Sequence, residues 1–294
     1  MNALEVRVVA GGAAWDESAY FAAHTAWEAA WLAEPNGALR DGLRALTQWA
    51  AAAYLETLGR YAAATRVRDR ARARLRRTEV RLALAPFALD LPSDDHDTLV
   101  LRDSRTPFAV PLVLLAAGHG RRAGGPKALI DLAGQPLWRR QVERLRANGL
   151  TRVIAVLHPA AALDQTPDLT TLHGDPDATP LHSLQRALTA TSGPVLVLPI
   201  DCPVPSRAVT ARLLAASLAE PSPAAVRPIV ATPEGPLGGH PLWISAAVCA
   251  QVLRLDAAQH RLDVFLRSLG DAYVGVPLAD ETVLGNFNSD GVSR

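Results

Sequence analysis

From Val110 onward the chain alternates short apolar runs with amphipathic stretches, and this alternation limits the possible fold more than any other feature. "VPLVLLAA" (110–117), "TRVIAVLH", "PVLVLPI", "RPIVA" and "AYVGVP" have the length and composition of strands. Between them, "PLWRRQVERLRANG" opens on Pro136, stops at Gly149 and lines Trp138, Val142 and Leu145 along one face. "PLHSLQRALTA" and "SRAVTARLLAASLA" repeat that pattern. Strand–helix alternation predicts an α/β domain, a mostly parallel sheet with helices on both faces. Ligands in such sheets sit beyond the carboxyl ends of the strands. "EPSPAAVRP" (220–228) has the composition of a connector.

The earlier part of the chain has a different grammar. Residues 16 to about 83 are rich in Ala, Leu, Trp, Arg and Glu, and Tyr20, His24, Trp27, Glu28 and Trp31 recur at helical steps. "EPNGA" (34–38) ends one helix, Gly59 ends a second, and a third spans about 60–77. The predicted organisation is a small all-α bundle over 1–85, a linker over 86–109 containing "LPSDDHD", and the α/β domain over 110–294. Basic and acidic residues balance at 30 against 29, which disfavours a general nucleic-acid or polybasic membrane surface. Two cysteines are too few for a disulfide framework. No apolar run approaches the roughly 18–20 residues of a membrane span. The first residues carry acids where a secretory leader needs a basic and then an apolar run, so a cytoplasmic protein is expected.

Immediately after the first strand comes "GHGRRAGGPK" (118–127). Successive glycine N–H groups in turns form anion nests, and Arg121, Arg122 and Lys127 add positive charge. A P-loop needs Ser or Thr after its lysine, whereas Lys127 precedes Ala128. A dinucleotide loop finds its spacing in Gly118, Gly120 and Ala123, but Gly124-Gly125-Pro126 forbids the helix that must follow at once. It also lacks an acid at a second strand end, since Glu143 falls within a helix.

A loop rich in glycine only for its turn stays open, and a third functional reading rests on resemblance. Leu115-Ala116-Ala117-Gly118, Gly120, Arg122, Gly124, Pro126-Lys127, Leu129 and Leu132-Ala133-Gly134-Gln135-Pro136-Leu137 resemble the signature of the MobA-like nucleotidyltransferases. That family includes the molybdenum cofactor guanylyl- and cytidylyltransferases. Ala123 departs from it, standing where methionine is usual. The resemblance extends to about Asp290 and implies a Rossmann-like nucleotidyltransferase sheet. It makes Asp201 in "LPIDCPVPS" the ligand of Mg²⁺, Ser183 a residue near the base, and Gly239 and His240 in "GGHP" part of the acceptor side. Asn286 and Asn288 in "LGNFNSD" match its closing motif, although the usual Thr-Pro-Glu-Asp is replaced by Ser289-Asp290-Gly291.

The implied reaction moves a nucleoside monophosphate from CTP or GTP to a small phosphorylated acceptor, of which molybdopterin is the family's example, and releases pyrophosphate. Arg122, Lys127 and Asp201 are the implied catalytic residues; Leu115, Ala116, Ala117, Gly118, Gly120, Gly124, Lys127 and Ser183 the implied nucleotide contacts. Cys202 reads as a strand-end residue rather than a nucleophile, with no basic partner nearby in sequence. Molybdoenzymes or cofactor-pathway proteins are the implied protein partners; nucleic acid and membrane are not expected. Transfer to a sugar phosphate or another small phosphate, and a non-catalytic nucleotide-binding scaffold using the helical domain for docking, stay open as alternatives.

Phe21, His24, Glu28, Trp31, Leu46, Gln48 and Ala50 resemble the pattern of a helical domain of unknown function, DUF309, which carries no activity with it. His24 and Glu28, four residues apart, could contribute to a metal site if Asp41 supplied a third ligand; a hydrogen-bonded pair inside the bundle is the expectation. The arginines between Arg66 and Arg77 spread around a helix whose apolar seam is Val67, Ala71 and Leu75, which suits a solvated helix.

Overall fold

The computed structural model describes residues 3–35, 37–84, 87, 89–90, 100–101, 107–121, 124–132, 134–219, 221–278 and 280–286. The chain divides into two compact units, Met1–Thr106 and Pro107–Arg294. Among the described residues no helix is long and apolar enough to cross a membrane.

The first unit is a bundle of α1 (Ala3–Asp16), α2 (Tyr20–Ala33), α3 (Ala38–Thr57), α4 (Tyr61–Leu75) and α5 (Thr78–Leu84). Helix α1 is absent from the sequence reading because "VRVVAGGAA" has the Val and Gly content of a strand or loop. Tertiary packing overrides that preference. Trp27 is fully buried against Gly11, where any Cβ would meet its indole, and its Nε1 donates to the Val8 carbonyl at 3.0 Å. Trp49, Leu43, Leu46, Leu75 and Leu84 complete the core. Helix α4 buries Ala64, Ala71 and Leu75, so Ala64 rather than Val67 completes its seam, and Arg68 pairs outward with Glu56. Residues 86–109 include a short antiparallel pairing of β1 (Leu89–Asp90) with β2 (Val100–Leu101).

His24 and Glu28 do not form the expected internal hydrogen bond. Their nearest atoms are 3.9 Å apart and both side chains are partly exposed, because α2 turns Ala23, Trp27 and Ala30 inward instead. Asp41 pairs with Arg77 at 2.9 Å, and no cluster of three metal-ligating side chains occurs among the described residues.

The second unit contains β3 (Leu112–Ala116), α6 (Leu137–Ala147), β4 (Val153–Leu157), β5 (Gln165–Thr166), β6 (Leu169–His173), α7 (Pro180–Leu188), β7 (Val195–Pro199) and α8 (Arg207–Ala216). There follow β8 (Ala225–Thr232), β9 (Gly235–Gly238), β10 (Leu242–Ile244), α9 (Ala246–Val252), α10 (Leu262–Ser268) and β11 (Tyr273–Pro277). The sheet runs β11-β8-β10-β7-β3-β4-β6-β5, with β9 on β8. The long pairings β7–β3–β4–β6 and β8–β11 are parallel, while β10 lies antiparallel between β7 and β8. Strands β3, β4 and β7 are almost wholly buried, which explains their unbroken apolar composition.

Helix starts are set by side chains. Thr179 caps α7 with Pro180 next to it, Ser206 caps α8 and Ser245 caps α9, each accepting from an N–H three residues on. The first crossover from β3 leads through α6 to β4 on one side, and the later one through α7 returns to β7 on the other. That reversal places a crevice beyond the carboxyl ends of β3 and β7.

Candidate active site

The glycine-rich loop leaves β3 at this crevice. Gly120 has φ of +59° and its Cβ position is filled by the Gly125 carbonyl, so only glycine closes the loop this tightly. Gly125 N in turn donates to Gly120 O at 3.3 Å. Pro126 then starts a single helical turn, Lys127–Leu129, that aims Lys127 back across the sheet.

Its partner stands at the end of β7. Lys127 Nζ lies 3.1 Å from Asp201 Oδ2, with the two side chains only 15% and 28% exposed. A cavity of about 340 Å³ surrounds the pair, lined by Leu115, Ala117, Gly118, Gly120, Ser183 and Asp175 among others. Ser183 is buried on α7, and Gly174 lets the β6 end approach it, since a Cβ there would crowd Ala117 and Val156. Ala116 faces the opposite side of β3, and Gly124 and exposed Asn286 line neither this cavity nor the next. Arg122 and Asn288 lie outside the described residues.

Several supporting residues escaped the sequence reading. Gln141 on α6 donates to the carbonyls of Ile200 (2.7 Å) and Cys202 (3.2 Å), clamping the backbone on both sides of Asp201. It sits on the buried face of α6 among Trp138, Val142 and Leu145, where a polar residue in an apolar stripe was the available signal. Asp177 holds the glycine loop from across the crevice, meeting His119 Nε2 at 3.0 Å and Arg121 at 3.3 Å.

A larger cavity of about 770 Å³ adjoins the first, sharing Leu115, Pro180 and Pro199 with it. Gly239 and His240 line it; Gly239 N donates to Pro228 O and His240 N to Val283 O. The segment before Asn286 therefore reaches the site through its backbone at Val283. Burial lowers the His240 imidazole below the ordinary histidine range, with Asp201 pulling the other way, so the ring is neutral near pH 7. The Cys202 thiol is pushed up to about 12, by burial first and the Asp201 charge second, with Lys127 opposing. It is protonated at neutral pH and cannot serve as a nucleophile.

Residues 112–273, more than half of the chain, match the MobA-like NTP transferase domain, and residues 8–67 match the domain of unknown function DUF309. Over 104 residues the chain is 39% identical to the 2-C-methyl-D-erythritol 4-phosphate cytidylyltransferase of Frankia casuarinae, a match covering 32% of this chain and 38% of that relative's length. The crystal structure of the enzyme of that name from Thermus thermophilus aligns with 60% of this chain and 93% of its own, at 23% identity and a TM-score of 0.46. Molybdopterin-guanine dinucleotide biosynthesis protein A from Archaeoglobus fulgidus aligns with 61% of this chain and 93% of its own, at 17% identity and a TM-score of 0.45. On the extent of the domain match, the chain belongs to the MobA-like NTP transferase family, and its α/β unit is a nucleotidyltransferase domain.

Proposed function

We propose that the α/β unit transfers a nucleoside monophosphate from CTP or GTP to the phosphate of a small acceptor, of the molybdopterin type, and releases pyrophosphate. The observation that carries this reading is the meeting of Lys127 and Asp201 inside a cavity walled by the glycine loop. An oxygen of the acceptor phosphate attacks the α-phosphorus; the bond from that phosphorus to the bridging oxygen breaks, and pyrophosphate leaves with the bond's electrons. The acceptor phosphate is already ionised at neutral pH, so no protein nucleophile is required.

The N–H groups of Gly118 and Gly120 face the leaving phosphates as an anion nest. Lys127 supplies a point charge beside the α-phosphate and the attacking oxygen. Mg²⁺ fits the donors present: Asp201 and Asp175 both line the cavity, and magnesium is typically held by one or two carboxylates together with substrate phosphates. When bound, the ion neutralises charge on the phosphoryl oxygens. His240, neutral, offers a hydrogen bond rather than a charge on the acceptor side.

CTP is favoured as donor by the cytidylyltransferase named above, and the open GTP alternative rests on the asparagine pair of the closing motif. Lys127→Ala and Asp201→Ala are each expected to reduce pyrophosphate release by more than ~100-fold with the unfolding curve retained. Undiminished release by a folded Asp201→Ala protein overturns the mechanism. Nucleotide binding without turnover on any phosphorylated acceptor supports the scaffold alternative instead.

A further inference from the structure

The larger cavity holds charge that the donor nucleotide leaves unexplained. Arg227, Arg261 and Arg267 line it against a single carboxylate, Asp263, a surplus of two positive charges. Asp263 is already shared by the two outer arginines, accepting from Arg261 Nε at 3.0 Å and from Arg267 Nη2 at 2.6 Å. All three of those side chains are largely exposed.

Arg227 is held differently. It projects from β8 and is half-buried, with its guanidinium carbon 4.9 Å from the centre of the Tyr273 ring. On the other side it packs so closely on Gly238 that a Cβ there would collide with the guanidinium. No carboxylate among the described residues is paired with it. A guanidinium fixed between an aromatic ring and a glycine keeps its planar fork in place before any ligand arrives, and that fork matches phosphate oxygens two at a time. Leu115 and Leu262 give the same cavity an apolar wall.

We propose that Arg227 is the receptor for the acceptor's phosphate and selects phosphorylated acceptors over neutral ones. The assignment of that anion to an acceptor rests on the nucleotidyl-transfer reading; the anion site itself does not. Because the two cavities meet at Leu115, Pro180 and Pro199, a ligand seated on Arg227 lies beside the space for the nucleotide.

Phenyl phosphate and benzyl alcohol, a neutral aromatic alcohol, serve as probes, titrated calorimetrically into the full chain. Wild type is expected to bind phenyl phosphate and not benzyl alcohol. Arg227→Met is expected to weaken phenyl phosphate by at least ~10-fold, and Arg227→Lys to recover part of that loss. Affinity for CTP or GTP with Mg²⁺ stays within about twofold in Arg227→Met. Equal phenyl phosphate binding in wild type and Arg227→Met overturns the proposal, as does loss of binding in Lys127→Ala alone, which would seat the probe on the glycine loop. Failure of wild type to bind either nucleotide, with the Arg227 dependence intact, removes the transfer reading and leaves the anion site standing.

Discussion

Lys127 and Asp201 are 74 residues apart in the chain and 3.1 Å apart in the fold. Each stands out locally in the sequence, Lys127 after a run of glycines and Asp201 at the end of an apolar strand. Gln141, Asp177 and Arg227 do not, since their partners lie on other strands or loops that only the fold brings to them. The clamp by Gln141 has a measurable consequence. Gln141→Leu leaves the carbonyls of Ile200 and Cys202 buried without that donor, which costs roughly 1–3 kcal/mol for each group that water cannot reach. Urea unfolding should register the loss, accompanied by a fall in kcat as the backbone around Asp201 loosens; an unchanged midpoint would contradict the clamp. The cysteines give a second test. Cys202 and Cys249 are buried, with thiols pushed up to about 12 and about 11. Neither should be alkylated by iodoacetamide at pH 8 in the native protein, and both should be once it is unfolded, read by mass spectrometry. A thiol whose value is raised on folding stabilises the fold below the unfolded value of about 8.5, and that contribution is lost as the pH climbs towards the raised value.

Among the elements, the strands buried on both faces and the helices with a clear apolar stripe were legible in the sequence. Strands β5, β6, β9 and β10 were not: β5, β9 and β10 are short, and β6, "LTTLH", mixes threonines into a run that only its neighbours bury. Helix α1 was hidden for the opposite reason, its Gly11 being a seat for Trp27 rather than a break. Gly120→Ala forces a side chain into a left-handed backbone at a cost of roughly 1–2 kcal/mol and against the Gly125 carbonyl. The loop must open to accept it, and the N–H groups then lose their common direction. Nucleotide affinity should drop by at least ~10-fold while the melting temperature falls only a few degrees. A melting point reduced as much as by a core truncation, with nucleotide affinity unchanged, would show the loop to be structural only.

At the scale of the whole molecule, two units with separate cores share one chain, and the reaction belongs to the second of them. A ligand that binds only the folded state of one unit stabilises that unit by mass action, by about 2.7 kcal/mol at 100 times its Kd. Calorimetry with CTP or GTP and Mg²⁺ should therefore raise the transition of the Pro107–Arg294 unit, and Asp201→Ala should abolish the shift. Nucleotidyl transfer is read by following the α-phosphate itself. CTP or GTP labelled at that position is incubated with Mg²⁺ and a panel of phosphorylated acceptors headed by molybdopterin, with pyrophosphate measured in parallel. Label in one acceptor, an equal amount of pyrophosphate, and loss of both by more than ~100-fold in folded Asp201→Ala are expected. Label that never leaves the nucleotide with any acceptor, or transfer undiminished in that variant, would contradict the mechanism.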